Sequence, residues 1–132
     1  MRTEKEHRNV EIVERFRDAF ARGVGYLDFL TDDPTWRVFH SERRGRSEVE
    51  HLRDHIVTTL YPHGNTATVQ AVIAEGDRVV VQQTIAAITN SGADYFNYYV
   101  IIYELTGDGR IHTVWEYLNN LYSNDKFDLT QL

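Results

Sequence analysis

Six histidines, eight tyrosines and no cysteine bound the chemistry open to this chain. Without thiols there is no thiolate nucleophile, no disulfide and no zinc–thiolate site, which fits a reducing, cytoplasmic setting. Gly-x-Gly-x-x-Gly, P-loop, His-Glu-x-x-His and Gly-x-Ser-x-Gly patterns are also absent, so the common nucleotide and hydrolase motifs are missing. Proton transfer by side chains remains. His40 shares an alternating face with Trp36 and Val38, a hydrophobic wall ending in an imidazole suited to shuttling protons near neutral pH. A core histidine with a satisfied hydrogen bond, or a surface histidine at a strand end, would show the same pattern. Glu116 is bracketed by Val114 and Leu118 on the face that begins with His112. Buried there, it needs a donor or a raised pKa; the alternative is a salt bridge at the rim. His51 and His55 have the i, i+4 spacing of metal ligands, but they lie off the apolar stripe of their helix, so a solvated face is expected and no metal is assigned.

A second set of candidates would bind rather than react. In 94–105, Tyr95, Asn97, Tyr99, Ile101 and Tyr103 share one face, aromatic and amphipathic as a ligand pocket is. Phe96, Tyr98, Val100 and Ile102 share the other, nearly pure hydrophobe, as a subunit interface is. Gln82 and Thr84 are paired by alternation with Val80 and Ala86, and read either as substrate contacts or as ordinary polar positions of a part-exposed strand.

The elements that must position these groups are set by periodicity. Residues 3–22 have helical spacing in Val13, Phe16 and Phe20, and Gly23 and Gly25 end the run. A short helix over 26–30 is closed by Thr31-Asp32-Asp33-Pro34, and 35–40 is a short strand. Ser47 and Glu50 form a capping-box pattern before a helix carrying Val49, Leu52, Ile56 and Leu60. Strands come next over 66–74, 78–89, 94–105 and 110–121, separated by turn sequences such as Glu75-Gly76-Asp77 and Gly107-Asp108-Gly109. The order is α-α-β-α-β-β-β-β in one α+β domain spanning 1–132. A sheet apolar on both faces needs two covers.

The net charge of −6, with Arg43-Arg44-Gly45-Arg46 as the one short basic segment, argues against nucleic acid or an anionic membrane as partner. That segment reads as a solvated loop, with an anion site as the alternative.

Several short motifs in order resemble the SnoaL-like branch of the nuclear transport factor two-like superfamily, which includes ketosteroid isomerase, limonene-epoxide hydrolase, scytalone dehydratase and polyketide cyclases. They are Asp33-Pro34-Thr35-Trp36, Gly45-Arg46-Ser47, Ala74-Glu75-Gly76-Asp77-Arg78-Val79-Val80, Asn97-Tyr98-Tyr99, Gly107-Asp108-Gly109-Arg110-Ile111 and Trp115-Glu116-Tyr117-Leu118. The resemblance implies a cone: a strongly curved antiparallel sheet wrapped against three N-terminal helices, enclosing an apolar pocket, with homodimers formed through the outer sheet face. Known active sites do not carry over intact. The isomerase's general-base position reads Val38 and its oxyanion-hole acid Ile101. The epoxide hydrolase's arginine reads Gln82 and its first aspartate Thr84, leaving Glu116 as the last acid. Asn119 replaces an aspartate that often comes after the Glu-Tyr pair, and Tyr26 matches a tyrosine placed between the first two helices.

The expected function is cofactor-free acid–base chemistry on a small hydrophobic molecule. His40 and Glu116 would act as base and acid. Tyr26 and Tyr99 would be oxyanion donors, and Asn97, Gln82 and Thr84 would orient substrate or water. Trp36, Val38, Ile101, Tyr103 and His112 would complete the pocket. A non-catalytic binding or adaptor domain is the alternative.

Overall fold

The first helix, α1 (Glu4–Arg22), starts at Thr3, whose hydroxyl accepts from the Glu6 amide at 3.1 Å while the Glu6 carboxylate accepts from the Thr3 amide at 2.8 Å. This reciprocal cap satisfies two otherwise orphaned donors. Gly23 ends the helix at φ 75°, and its N–H reaches the Ala19 carbonyl at 2.8 Å. The computed structural model describes residues 1–38 and 41–127. His40, the proposed proton shuttle, therefore lies outside the described residues, as does Phe39.

A single 3-10 turn, Tyr26–Phe29, leads into β1 (Leu30–Val38). The strand begins earlier than expected: Thr31-Asp32-Asp33-Pro34 does not close a helix but runs extended at a sheet position where proline is tolerated. β2 (Ser41–Arg44) pairs with β1, so the basic segment is not a loop: Arg43 and Arg44 end an edge strand, and Gly45 and Arg46 open the next helix. The capping box expected at Ser47 does not form. α2 (Arg46–His55) opens instead at Gly45, whose φ of 90° a side chain would resist, and Arg46 donates to the carbonyls of Thr31 and Leu30 at 3.1 and 2.8 Å. The helix then widens into a π turn, Ile56–Leu60, closed by a bond of 2.9 Å from the Tyr61 N–H to the carbonyl of Ile56, five residues back. β3 (Asn65–Glu75), β4 (Arg78–Ile88), β5 (Asp94–Leu105) and β6 (Ile111–Leu118) are next, and α3 (Asn120–Lys126), which periodicity did not reveal, comes last.

The six strands run in the order β2-β1-β6-β5-β4-β3. All neighbours are antiparallel except β1 and β6, which are parallel, so the sheet is mixed rather than antiparallel throughout. Register shifts interrupt the β1–β6, β3–β4 and β5–β6 ladders. Such bulges bend strands, and the sheet is curved and not closed. Its concave face packs on α1 and α2 around Val13, Phe16, Leu30, Val49, Val79, Val81, Tyr103 and Ile111.

β5 alternates as expected: Tyr95, Asn97, Tyr99, Ile101 and Tyr103 are buried, while Phe96 and Tyr98 are 50% and 61% exposed on the convex face.

Candidate active site

A cavity of about 890 Å³ opens between the concave face of the sheet, α1, α2 with its π turn, and α3. Its walls are mainly apolar: Phe16, Phe20, Trp36, Val38, Leu52, Ile56, Leu60, Ile85, Ile101 and Leu118 all reach it.

Glu116 sits deep in this wall. β6 presents it to the concave side opposite Ile101, with Val38 of β1 on its other flank. The Trp36 indole N–H donates to its Oε1 at 3.2 Å. Burial pushes the Glu116 carboxyl above the ordinary carboxylate range; the Trp36 hydrogen bond and the Arg17 guanidinium pull it back in part. Phe20 stacks on Trp36 with ring centroids 5.3 Å apart, which holds the indole in place.

Arg17 reaches the same wall from α1, donating to the Tyr103 hydroxyl at 3.3 Å and to the Gln83 side-chain oxygen. The Tyr103 phenol is raised by burial, with Arg17 opposing the shift. At the other end of the cavity lies a chain of hydroxyls. Tyr61, delivered by the π turn, is 3.2 Å from the Tyr99 hydroxyl, which is 2.5 Å from that of Tyr95, itself 2.7 Å from Ser123 Oγ on α3. The Asn97 amide donates into this chain at Tyr95, 2.9 Å away, and to the Asn119 carbonyl at 3.1 Å. Burial raises both Tyr61 and Tyr99 well above the usual phenol range, so these groups stay protonated and serve as hydrogen-bond donors.

The structure thus brings together six of the residues chosen from sequence: Trp36, Val38, Tyr99, Ile101, Tyr103 and Glu116. It does not bring in the other described candidates. Gln82 and Thr84 face the convex side, where Thr84 stands opposite Tyr98; the intervening residue, Gln83, faces the cavity. His112 falls in the β5–β6 register shift, is exposed, and bonds Thr113 Oγ1 at 2.6 Å. Tyr26 packs against Phe20 and beneath the Arg53 guanidinium, 5.5 Å from its ring, and does not line the cavity. Asn97 is buried behind the wall, where it orders the tyrosines. His55 lines the rim, and burial lowers its pKa, with Arg43 adding to the effect. Among the described residues no group of three or more His, Asp or Glu side chains is placed to hold a metal ion.

Arg17, Tyr61 and Gln83 were missed. For Arg17 the signal was present: it lies four residues after Val13 and three before Phe20, both on the inner stripe.

Residues 13–114 of the chain match the family model of the SnoaL-like domain. The chain belongs to the SnoaL-like family. The SnoaL-like fold recurs in solved structures. A protein from Jannaschia sp. CCS1, provisionally assigned as a SnoaL-like polyketide cyclase, superposes with TM-score 0.83 at 21% identity, over 96% of this chain and 95% of its own. An NTF2-like protein from Burkholderia xenovorans LB400 gives 0.80 at 18%, over 96% and 100%. The epoxide hydrolase/cyclase-like enzyme SalBIII, described in pyran ring formation in the polyether salinomycin, gives 0.77 at 18%, over 91% and 97%. No curated protein gave a significant sequence match. Among the described residues, no helix of this SnoaL-like chain is long and apolar enough to cross a membrane.

Proposed function

We propose that this SnoaL-like domain is a cofactor-free enzyme acting in the cytoplasm on a small, largely apolar molecule by general acid–base catalysis, of the isomerase, cyclase, dehydratase or epoxide-opening type. The observation that carries this reading is Glu116: a carboxyl in an apolar cavity, oriented by the Trp36 indole and displaced by burial toward neutral pH, where an acid–base group works best. The hydrogen-bonded Tyr61–Tyr99 hydroxyl pair spends one proton between its members and leaves one neutral hydroxyl to donate to a developing oxyanion across the cavity. The SnoaL-like polyketide cyclase and SalBIII among the structural neighbours agree with such a class. We further propose that two copies pair through the convex sheet face, where Phe96, Tyr98, Val100 and Tyr117 are exposed together.

A second reading, a binding domain without catalysis, is favoured by Val38 and Ile101, hydrocarbons at the two positions where the resemblance to ketosteroid isomerase calls for acids. Incubation of a panel of enolisable ketones in D2O separates the two. Mass spectrometry should detect deuterium uptake at carbon with the wild type, and Glu116→Gln should slow it about a hundredfold. Uptake unchanged in the variant removes Glu116 from catalysis; binding without any uptake supports the second reading.

A further inference from the structure

Arg17 is the strongly polar cavity group that the acid–base reading leaves without a task. Its guanidinium donates to Gln83 and Tyr103, both neutral acceptors. Among the described residues Arg17 enters no ion pair, while Arg15 and Arg22 of the same helix pair with Glu11 and Asp18. A guanidinium stays charged at every accessible pH, and two of its five donors are used here. Holding that charge part-buried against a largely apolar wall without an ion-pair partner carries a cost, which an entering anion would relieve.

The surrounding wall does not neutralise it. Glu116 is the one carboxyl among the described lining residues, and burial favours its uncharged form. The other charged lining groups are basic. Arg43 is paired with Glu48 at 3.4 Å, and Arg53 is held by the carbonyls of Phe20 and Ala21 at 2.6 and 3.3 Å. A chain of net charge −6 therefore has a cavity biased toward positive potential, a field that draws anions inward.

We propose that the cavity binds an otherwise apolar molecule bearing one carboxylate, seated on the Arg17 guanidinium, with Gln83 and Tyr103 holding that guanidinium in register. This rests on the small-molecule reading above and adds the chemical class of the ligand. Hydrocarbon fills the apolar wall, and the charged head sits on the guanidinium.

The test is calorimetric titration at pH 7 of 2-naphthoate and of its uncharged analogue 2-naphthamide into the wild type, Arg17→Met and Arg17→Lys. Naphthoate should bind the wild type about tenfold or more tighter than the amide, the range expected of a hydrogen bond to a charged group. Arg17→Met should lose about 10–100-fold on naphthoate and stay within about threefold on the amide; Arg17→Lys, keeping the charge without the fork, should fall between. Equal affinity of the two probes for the wild type would overturn the proposal while leaving the small-molecule reading standing. So would naphthoate binding that is indifferent to Arg17→Met. Failure of both probes to bind the wild type would contradict that reading as well. Retained amide binding shows that the cavity of the methionine variant is intact; if that variant does not fold, the two-probe comparison on the wild type and the lysine variant decides.

Discussion

Replacing Glu116 with glutamine keeps the length of the side chain and an oxygen for the Trp36 indole, 3.2 Å away, but removes the titrating proton. Burial holds the native carboxyl above its ordinary value of 4.5. Between that value and the raised one, the folded chain keeps a proton that the unfolded chain has already shed. Native stability therefore falls as pH rises through this window, and the loss persists above it. Each unit of displacement corresponds to about 1.4 kcal/mol. For a chain of this length that moves the melting midpoint by roughly 4–7 °C. Glutamine has no such window, and every other titrating group is common to both proteins. Thermal melts of the wild type and Glu116→Gln from pH 4 to pH 9 should therefore show the variant gaining on the wild type as pH rises above 4.5, the gain levelling off once the folded carboxyl has ionised. A midpoint difference that stays flat across the range would mean that Glu116 titrates as it does in the unfolded chain, and the buried acid would be lost as a candidate.

Two further outcomes are expected at positions remote from the carboxyl. Gly23→Ala puts a side chain at φ 75° and a Cβ 2.6 Å from the Arg53 guanidinium, so urea denaturation should show a loss of about 1–2 kcal/mol from left-handed strain, and more if Arg53 gives up its carbonyl partners; a loss below about 0.5 kcal/mol would contradict this. On the convex face, Tyr98→Glu places a charge in the centre of the exposed apolar patch, and sedimentation should show a dimer for the wild type at micromolar concentration and a monomer for the variant. A wild type that sediments as a single chain would refute the pairing.

How much of this was legible in the sequence depended on local parity. β5 was readable because its aromatic residues alternate without a break, and its observed bounds match the expected ones. β4 was not. Val79-Val80-Val81 is apolar at every position and Gln82-Gln83 polar at both, so neither triplet nor pair says which side faces in. The choice of Gln82 and Thr84 over Gln83 was a one-residue slip, the error to which a strand of period two is prone. His112 failed for a different reason: the register shift adds a residue at the start of β6 and breaks the alternation that linked it to Glu116. The end of β6 was overrun because Leu121 read as the last residue of the strand. Asn119 in fact stops it there, its side-chain oxygen accepting from the Tyr122 amide at 3.1 Å to open α3. The pairing of β1 with β6 is long-range and parallel, and nothing local in either segment encodes a partner about 80 residues away. Gly45 displaced the Ser47 cap because β2 and the bond from its own amide to the Pro34 carbonyl, 2.8 Å, had already fixed the approach of the chain.

The widened winding at 56–60 has an implication for how this wall could be reshaped. An α-helix advances about 100° per residue and a π turn, closing one residue later, advances less, so the widened stretch holds one more residue over nearly the same angle, and losing that residue would leave the chain beyond it nearly in phase. The phenol of Tyr61 would then stay close to its Tyr99 neighbour while the sheet behind it stayed put. Deletion at this one place is thus a way to reshape the helical wall of the chamber without moving its donor end or repacking the curved surface opposite, a route to new specificity that point substitution does not offer.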